Sequence, residues 1–288
     1  MPTKIEKDAI TGQDTTGHEW DGIKELNTPL PRWWLYTFYA TILFSLVYVV
    51  LYPAIPGFSG YTEGTLGYNS RLDLEEQMAK ARARQGENLQ RVAEAELREI
   101  RSDVDLLTFA LAGGDAAFAD NCAPCHGQGG AGRPGFPVLA DDAWIWGGSL
   151  EDIHTTLLHG IRNESDEARI SEMPAFGDIL EPEQIEAVTD YVLSLSGAEH
   201  DATSAAAGQE VYVEQCVACH GEQGEGLREL GGPRLSDQIW LYGGERDAVL
   251  AQIRQPRHGV MPGWQERLDA TTIKMLTVYV HSLGGGEE

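Results

Sequence analysis

The sequence predicts a mainly α-helical chain, with one N-terminal membrane-spanning helix followed by two tandem helical units. Three observations predict it. An uncharged run from Trp33 to Tyr52 has the length of a bilayer core. The pattern Cys-x-x-Cys-His occurs twice, ending at His126 and His220, and uses all four cysteines of the chain. The residues around the two motifs repeat in register.

Residues 1–32 are polar, contain Gly and Pro, show no sustained apolar period after the starting Met1, and read as irregular. Residues 33–52 form the span. At 1.5 Å per residue the run is about 30 Å long as a helix. Trp33, Trp34 and Tyr36 near one end, and Tyr48 and Tyr52 near the other, fit interfacial anchors. Pro53, Pro56 and Gly57 stop it. A cleaved signal peptide would have a shorter apolar core and a small-residue cleavage site. Lys4, Lys7, Lys24 and Arg32 precede the span, whereas Arg71 alone follows within the next 20 residues. That asymmetry puts the N-terminus in the cytoplasm and the rest in the periplasm, so the chain is a single-pass protein of the bacterial inner membrane.

Residues 53–108 connect the span to the repeats. From 71 to about 107 they read as a charged helix with a weak apolar stripe, including Leu74, Met78, Leu89, Val92 and Ile100, with Gly86 as the expected interruption. The net charge of −24 excludes a nucleic-acid binder and suits a basic protein partner, or simple solubility.

The duplicated units are residues 109–200 and 201–288. Gly114-x3-Phe118-x3-Cys122 matches Gly208-x3-Tyr212-x3-Cys216, and Trp144-x2-Gly147-Gly148 matches Trp240-x2-Gly243-Gly244. His159-Gly matches His258-Gly, and Met173-Pro matches Met261-Pro. The first unit carries extra residues between His159 and Met173. Each unit ends in a predicted helix, 183–194 and 271–282, with Pro182 at the start of the first.

C-x-x-C-H is the attachment signature of a c-type haem. Two thiols one helical turn apart reach the two vinyl groups of one porphyrin edge, and the histidine is carried under the iron. Cys122 and Cys125 therefore hold a first haem, and Cys216 and Cys219 a second, with His126 and His220 as axial ligands. A lone CxxC also suits zinc or thiol redox chemistry, but here each pair is followed by His. Haem is attached outside the bacterial cytoplasm, in agreement with the charge asymmetry. Met173 and Met261 stand in polar loops at matching positions and are the candidate sixth ligands. Met78 precedes the units and Met275 sits among core-spaced residues. His159 and His258, with Arg162 and Arg257 beside them, are candidates for a haem edge or propionate. Trp144 and Trp240 read as core or haem-border residues. His18, His154, His200 and His281 receive no role.

Each unit resembles a class I cytochrome c domain, in which the glycine-bearing first helix crosses the last helix. The whole chain resembles the dihaem subunit of cbb3-type cytochrome c oxidases, the CcoP or FixP family. The resemblance rests on Gly17-His-Glu-Trp20-Asp-Gly-Ile23, Pro29-Leu-Pro31-Arg-Trp-Trp34, the single span, the two CxxCH motifs, Met173-Pro-Ala-Phe176 and His258-Gly-Val-Met-Pro-Gly-Trp264. It implies an electron-transfer subunit of an oxygen-reducing, proton-translocating complex of aerobic respiration, and no catalysis by this chain alone. The implied partners are a soluble or membrane cytochrome c donor, a monohaem subunit, the haem–copper subunit and the lipid bilayer. A dihaem peroxidase, or an electron donor to another membrane oxidoreductase, is the alternative. Locality pairs Met173 with His126 and Met261 with His220. The resemblance implies the exchanged pairing, Met261 opposite His126 and Met173 opposite His220.

Overall fold

The computed structural model describes residues 4–58 and 60–288, so Met1 lies outside the described residues. The chain divides into two compact units, Met1–Arg82 and Ala83–Glu288.

The first unit opens with a hairpin where an irregular segment was expected. Strands β1 (Thr15–Trp20) and β2 (Ile23–Leu26) pair antiparallel, with Trp20 opposite Ile23 and Glu19 opposite Lys24. The turn is Asp21-Gly22, both at positive φ (48° and 84°), the two-residue geometry that follows strand twist. Too few apolar residues flank it for a two-residue period to show. Thr15 is buried, and its Oγ1 accepts from Glu6 N at 3.0 Å.

Helix α1 (Arg32–Leu51) is the predicted span, shifted by one residue. Pro31 precedes it, and Tyr52 closes it by donating its N–H to Tyr48 O at 2.8 Å. None of its residues is buried. A helix apolar on every side with no buried residue, joined at its last turn by Thr65 N and Leu66 N to Val50 O and Leu51 O, has the character of a membrane span. A short ribbon of β3 (Pro56–Gly57) and β4 (Gly60–Tyr61) follows.

Helix α2 (Ser70–Glu94) runs through Gly86 without a break. The expected 71–107 helix instead ends at Glu94 and resumes as α3 (Leu97–Ser102) and α4 (Val104–Asn121). Asp103 makes the second break: its carboxylate accepts from Asp105 N and Leu106 N at 2.9 and 3.0 Å, capping α4. Lys274 Nζ donates to Ala93 O and Ala95 O at 2.8 and 2.7 Å, a cation on the carbonyls that end α2.

The second unit continues with α5 (Ala123–His126), α6 (Leu150–His159), α7 (Pro182–Leu195), α8 (Ala202–Gln215), α9 (Val217–His220), α10 (Arg246–Arg254) and α11 (Ala270–His281). The glycine crossing exists, but it joins helices of different repeats. α4 packs on α11, and α8 packs on α7. A Cβ on Gly114 would stand 2.5 Å from Met275 O and from Tyr279 Cβ, and one on Gly208 would overlap Ala187 O. Only hydrogen at these two positions lets the backbones approach so closely.

The boundaries 109–200 and 201–288 therefore describe the duplication but not the packing. One core joins Phe118, Cys122, Ile153 and Leu157 to Ile273 and Leu276. The other joins Ile185, Val188 and Val192 to Tyr212, Val249 and Ile253. The second core is thus contiguous in sequence, α7 through α10. This inner core is inserted into the first, the outer core, which is built from α4, α5, α6 and α11. A sequence repeat carries no record of which copy of a helix fills which groove, because both copies present the same glycine and the same apolar face.

Candidate haem-binding site

Each CxxCH motif is one helical turn set at the end of a longer helix. Cys122 N donates to Phe118 O at 2.8 Å, and His126 N to Cys122 O at 2.8 Å. The second copy repeats this, with Cys216 N to Tyr212 O at 2.8 Å and His220 N to Cys216 O at 3.0 Å. The second cysteine of each pair, Cys125 and Cys219, is exposed, while Cys122 is buried and Cys216 half-buried. Burial, with the neighbouring cysteine adding to it, pushes the Cys122 and Cys216 thiols up to about 11.

The histidines are oriented by carbonyls that sequence reading missed. His126 Nδ1 lies 3.1 Å from Pro137 O, and His220 Nδ1 lies 2.9 Å from Pro233 O. A carbonyl only accepts, so Nδ1 carries the proton and Nε2 keeps its lone pair for a metal. Burial lowers both imidazole pKa values, against the opposing pull of the carbonyl, and holds the rings neutral. The signal was present in the sequence as Pro137-x-Leu139 and Pro233-x-Leu235, but the spacings from the two histidines differ, 11 and 13 residues.

The methionines lie with the opposite repeat. Met261 exchanges two backbone hydrogen bonds with Ile161, each 2.9 Å, and its carbonyl accepts from Asn163 Nδ2 at 2.9 Å. Its side chain packs on the core that holds Phe118 and Cys122. Met173 packs on the core of Val211 and Tyr212, beside Cys216. The extra residues after His159 begin at the Ile161–Met261 pairing, then fold back so that Ile161 also bridges Arg169.

A cavity of about 480 Å³ lies between the loops after the two motifs. Pro137, Pro233, Trp144 and Trp240 are in its wall, with Arg133 and Arg234. The four cysteines, His126, His220 and the two methionines are outside that wall, and the cavity meets the histidines through their proline partners. The donor set fits c-type haem: paired thiols, an imidazole with a free Nε2, a thioether on the same core, and guanidinium groups for carboxylates.

Of the flanking candidates, the two arginines have protein partners. Arg162, at φ 50°, donates Nε to Gly259 O at 2.7 Å and Nη1 to Ser171 O at 3.0 Å. Arg257 lies over the Tyr242 ring, 4.5 Å from its centroid. His159 Nδ1 is 3.1 Å from Glu167 Oε2 in an angle that makes no hydrogen bond, and His258 is exposed.

Three family descriptions match along the chain in this order. The N-terminal domain of cytochrome oxidase-cbb3, FixP, matches residues 12–59; cytochrome c matches 111–196; and cytochrome c oxidase, cbb3-type, subunit III, matches 203–280. A cbb3-type cytochrome c oxidase subunit FixP of Azorhizobium caulinodans is 52% identical over 281 residues, covering 97% of this chain and 96% of the relative. FixP of Sinorhizobium medicae is 49% identical over 281 residues, 97% of each chain. The chain belongs to the FixP/CcoP family of cbb3-type cytochrome c oxidase subunits. A CcoP of Azospirillum sp., 50% identical over 291 residues and covering 98% of both chains, agrees. As a FixP/CcoP protein it is a membrane-anchored electron-transfer subunit of the oxidase complex and carries two covalently bound haem c groups.

Proposed function

We propose that this subunit receives electrons from a periplasmic cytochrome c donor. It delivers them, by way of a monohaem subunit, toward the haem–copper subunit. Cys122 and Cys125 anchor one haem c, and Cys216 and Cys219 the other. His126 and His220 would hold the irons through Nε2, and the thioethers would come from Met261 for the haem held at His126 and from Met173 for the haem held at His220. Covalent haem c supplies one-electron cycling of its iron. The protein's part is to fix the ligands, exclude water from them and hold the two sites on one rigid scaffold.

The observation that carries the reading is the pairing of each axial histidine with a proline carbonyl on a core that also holds one methionine. The orientation follows from Lys4, Lys7, Lys24 and Arg32 before α1, with the N-terminus cytoplasmic and the haem unit periplasmic. α1, apolar on every side, contacts the bilayer.

The test is isolation of the tagged chain from membranes. Two haems per chain by pyridine haemochrome, together with a co-purifying haem–copper subunit and oxidation of reduced cytochrome c, are expected. Recovery of the dihaem chain with a dehydrogenase instead would overturn the assignment of partner. Proteolysis of intact spheroplasts should remove the haem unit and spare the N-terminus.

A further inference from the structure

The last residues of the chain fold back against the haem unit. Glu287 N donates to Gly148 O, and Gly148 N donates to Glu287 Oε2, both at 2.9 Å. Trp144 Nε1 donates to Gly285 O at 2.5 Å, and Glu287 O lies 2.9 Å from His281 Nε2. Gly285 runs so close to the outer core that a Cβ there would overlap Asp141 O. The Glu287 carboxylate then accepts from both terminal nitrogens of Arg228, one of them at 2.8 Å. Gly148 and Trp144 belong to the outer core and Arg228 to the loop that follows His220. One carboxylate therefore clasps the two cores. Arg228, Trp144 and Asp141 all line the cavity, in the same wall as Pro233.

We propose that Glu287 is a positioning residue for electron transfer, holding Arg228 at the cavity wall as a paired rather than a free cation. The inference rests on the reading that His220 carries a haem. Reduction there takes one electron from the donor, converts ferric iron to ferrous and makes or breaks no bond. The site gains negative charge, so an unpaired guanidinium nearby favours the reduced form and an unpaired carboxylate opposes it. Arg228 is 47% and Glu287 30% exposed, so the effect is partly screened and is largest at low ionic strength.

The experiment is a spectroelectrochemical titration of the purified holo-complex at low salt. Glu287→Gln should shift the potential of the haem attached at Cys216 and Cys219 upward, and Arg228→Gln should shift it downward. The double variant should return near the starting value, and Arg228→Lys, which keeps the charge, should stay there. Gly285→Val, which lifts the tail without touching a charge, should reproduce the upward shift. Unmoved potentials in both single variants, or shifts of the same sign in both, would overturn the proposal. A haem count other than two per chain in the unaltered protein would instead refute the underlying reading.

Discussion

Met261 and Ile161 exchange their backbone hydrogen bonds, 2.9 Å in each direction, although 100 positions separate them. This pairing holds the second repeat's methionine on the core of Phe118 and Cys122.

The proposed ligand pairing has a direct consequence. A variant lacking Cys216 and Cys219 keeps the haem attached at Cys122 and Cys125. Adding Met261→Ala should turn that haem high-spin, whereas adding Met173→Ala should leave it low-spin, as read by the Soret band and by magnetic circular dichroism. The opposite result would restore the local pairing.

Gly208 stands where a Cβ would overlap Ala187 O. Gly208→Ala should push α8 off α7 and cost about 1–3 kcal/mol, as overpacking does. In a unit of this size each kcal/mol lowers Tm by about 2–4 °C. An exposed glycine with open space around it, Gly86, serves as the control, and Gly86→Ala in α2 should leave Tm unchanged or slightly raised. Calorimetry of the holo-protein decides.

Asp190 is buried, and Arg246 donates to both of its carboxylate oxygens at 3.1 Å while also reaching Glu186 at 2.7 Å. The Arg246 guanidinium holds the Asp190 carboxyl below its usual value, with smaller help from Ser204 and the Asp201 N–H. A carboxylate with a depressed native pKa stabilises the fold above its unfolded pKa, and the gain is lost as pH falls through the native value. Between pH 5 and 8 the contribution is therefore constant; it begins to fall below about pH 4 and is gone only below the native value. Arg246→Met strands the carboxylate and should cost about 1–3 kcal/mol at neutral pH. The difference from wild type should shrink in acid, as followed by urea unfolding at several pH values. Equal destabilisation at pH 3 and pH 7 would contradict this.

The span, the attachment motifs and the duplication were legible because each is local. Trp33 to Tyr52 needs only length and apolar character, and CxxCH needs only its own five residues. The long-range choices were not. Gly114 and Gly208 announce a close helix crossing, yet α7 and α11 are alike enough that nothing in the sequence says which partner each takes. Pro137 and Pro233 act through carbonyl oxygens, which every residue has. The fit of Gly285 against Asp141 exists only once the outer core is built. Asp21-Gly22 carries the turn signature of a hairpin, but its strands are too short and polar to show alternation.

The inner core leaves the outer one after Ile161 and rejoins it at Met261, and those two residues touch. The whole intervening stretch therefore begins and ends at one point, and further contacts such as Gly135 N to Leu241 O and Arg228 to Glu287 hold it against the outer core. Deleting it requires only a peptide link across a gap already closed by hydrogen bonds, and the outer core would keep all four of its helices. Truncation from the C-terminus does the reverse: it removes α11, the last helix made, and leaves the outer core open while the inner one is already complete. As the chain is made the inner module can close first, and the outer one must wait for α11.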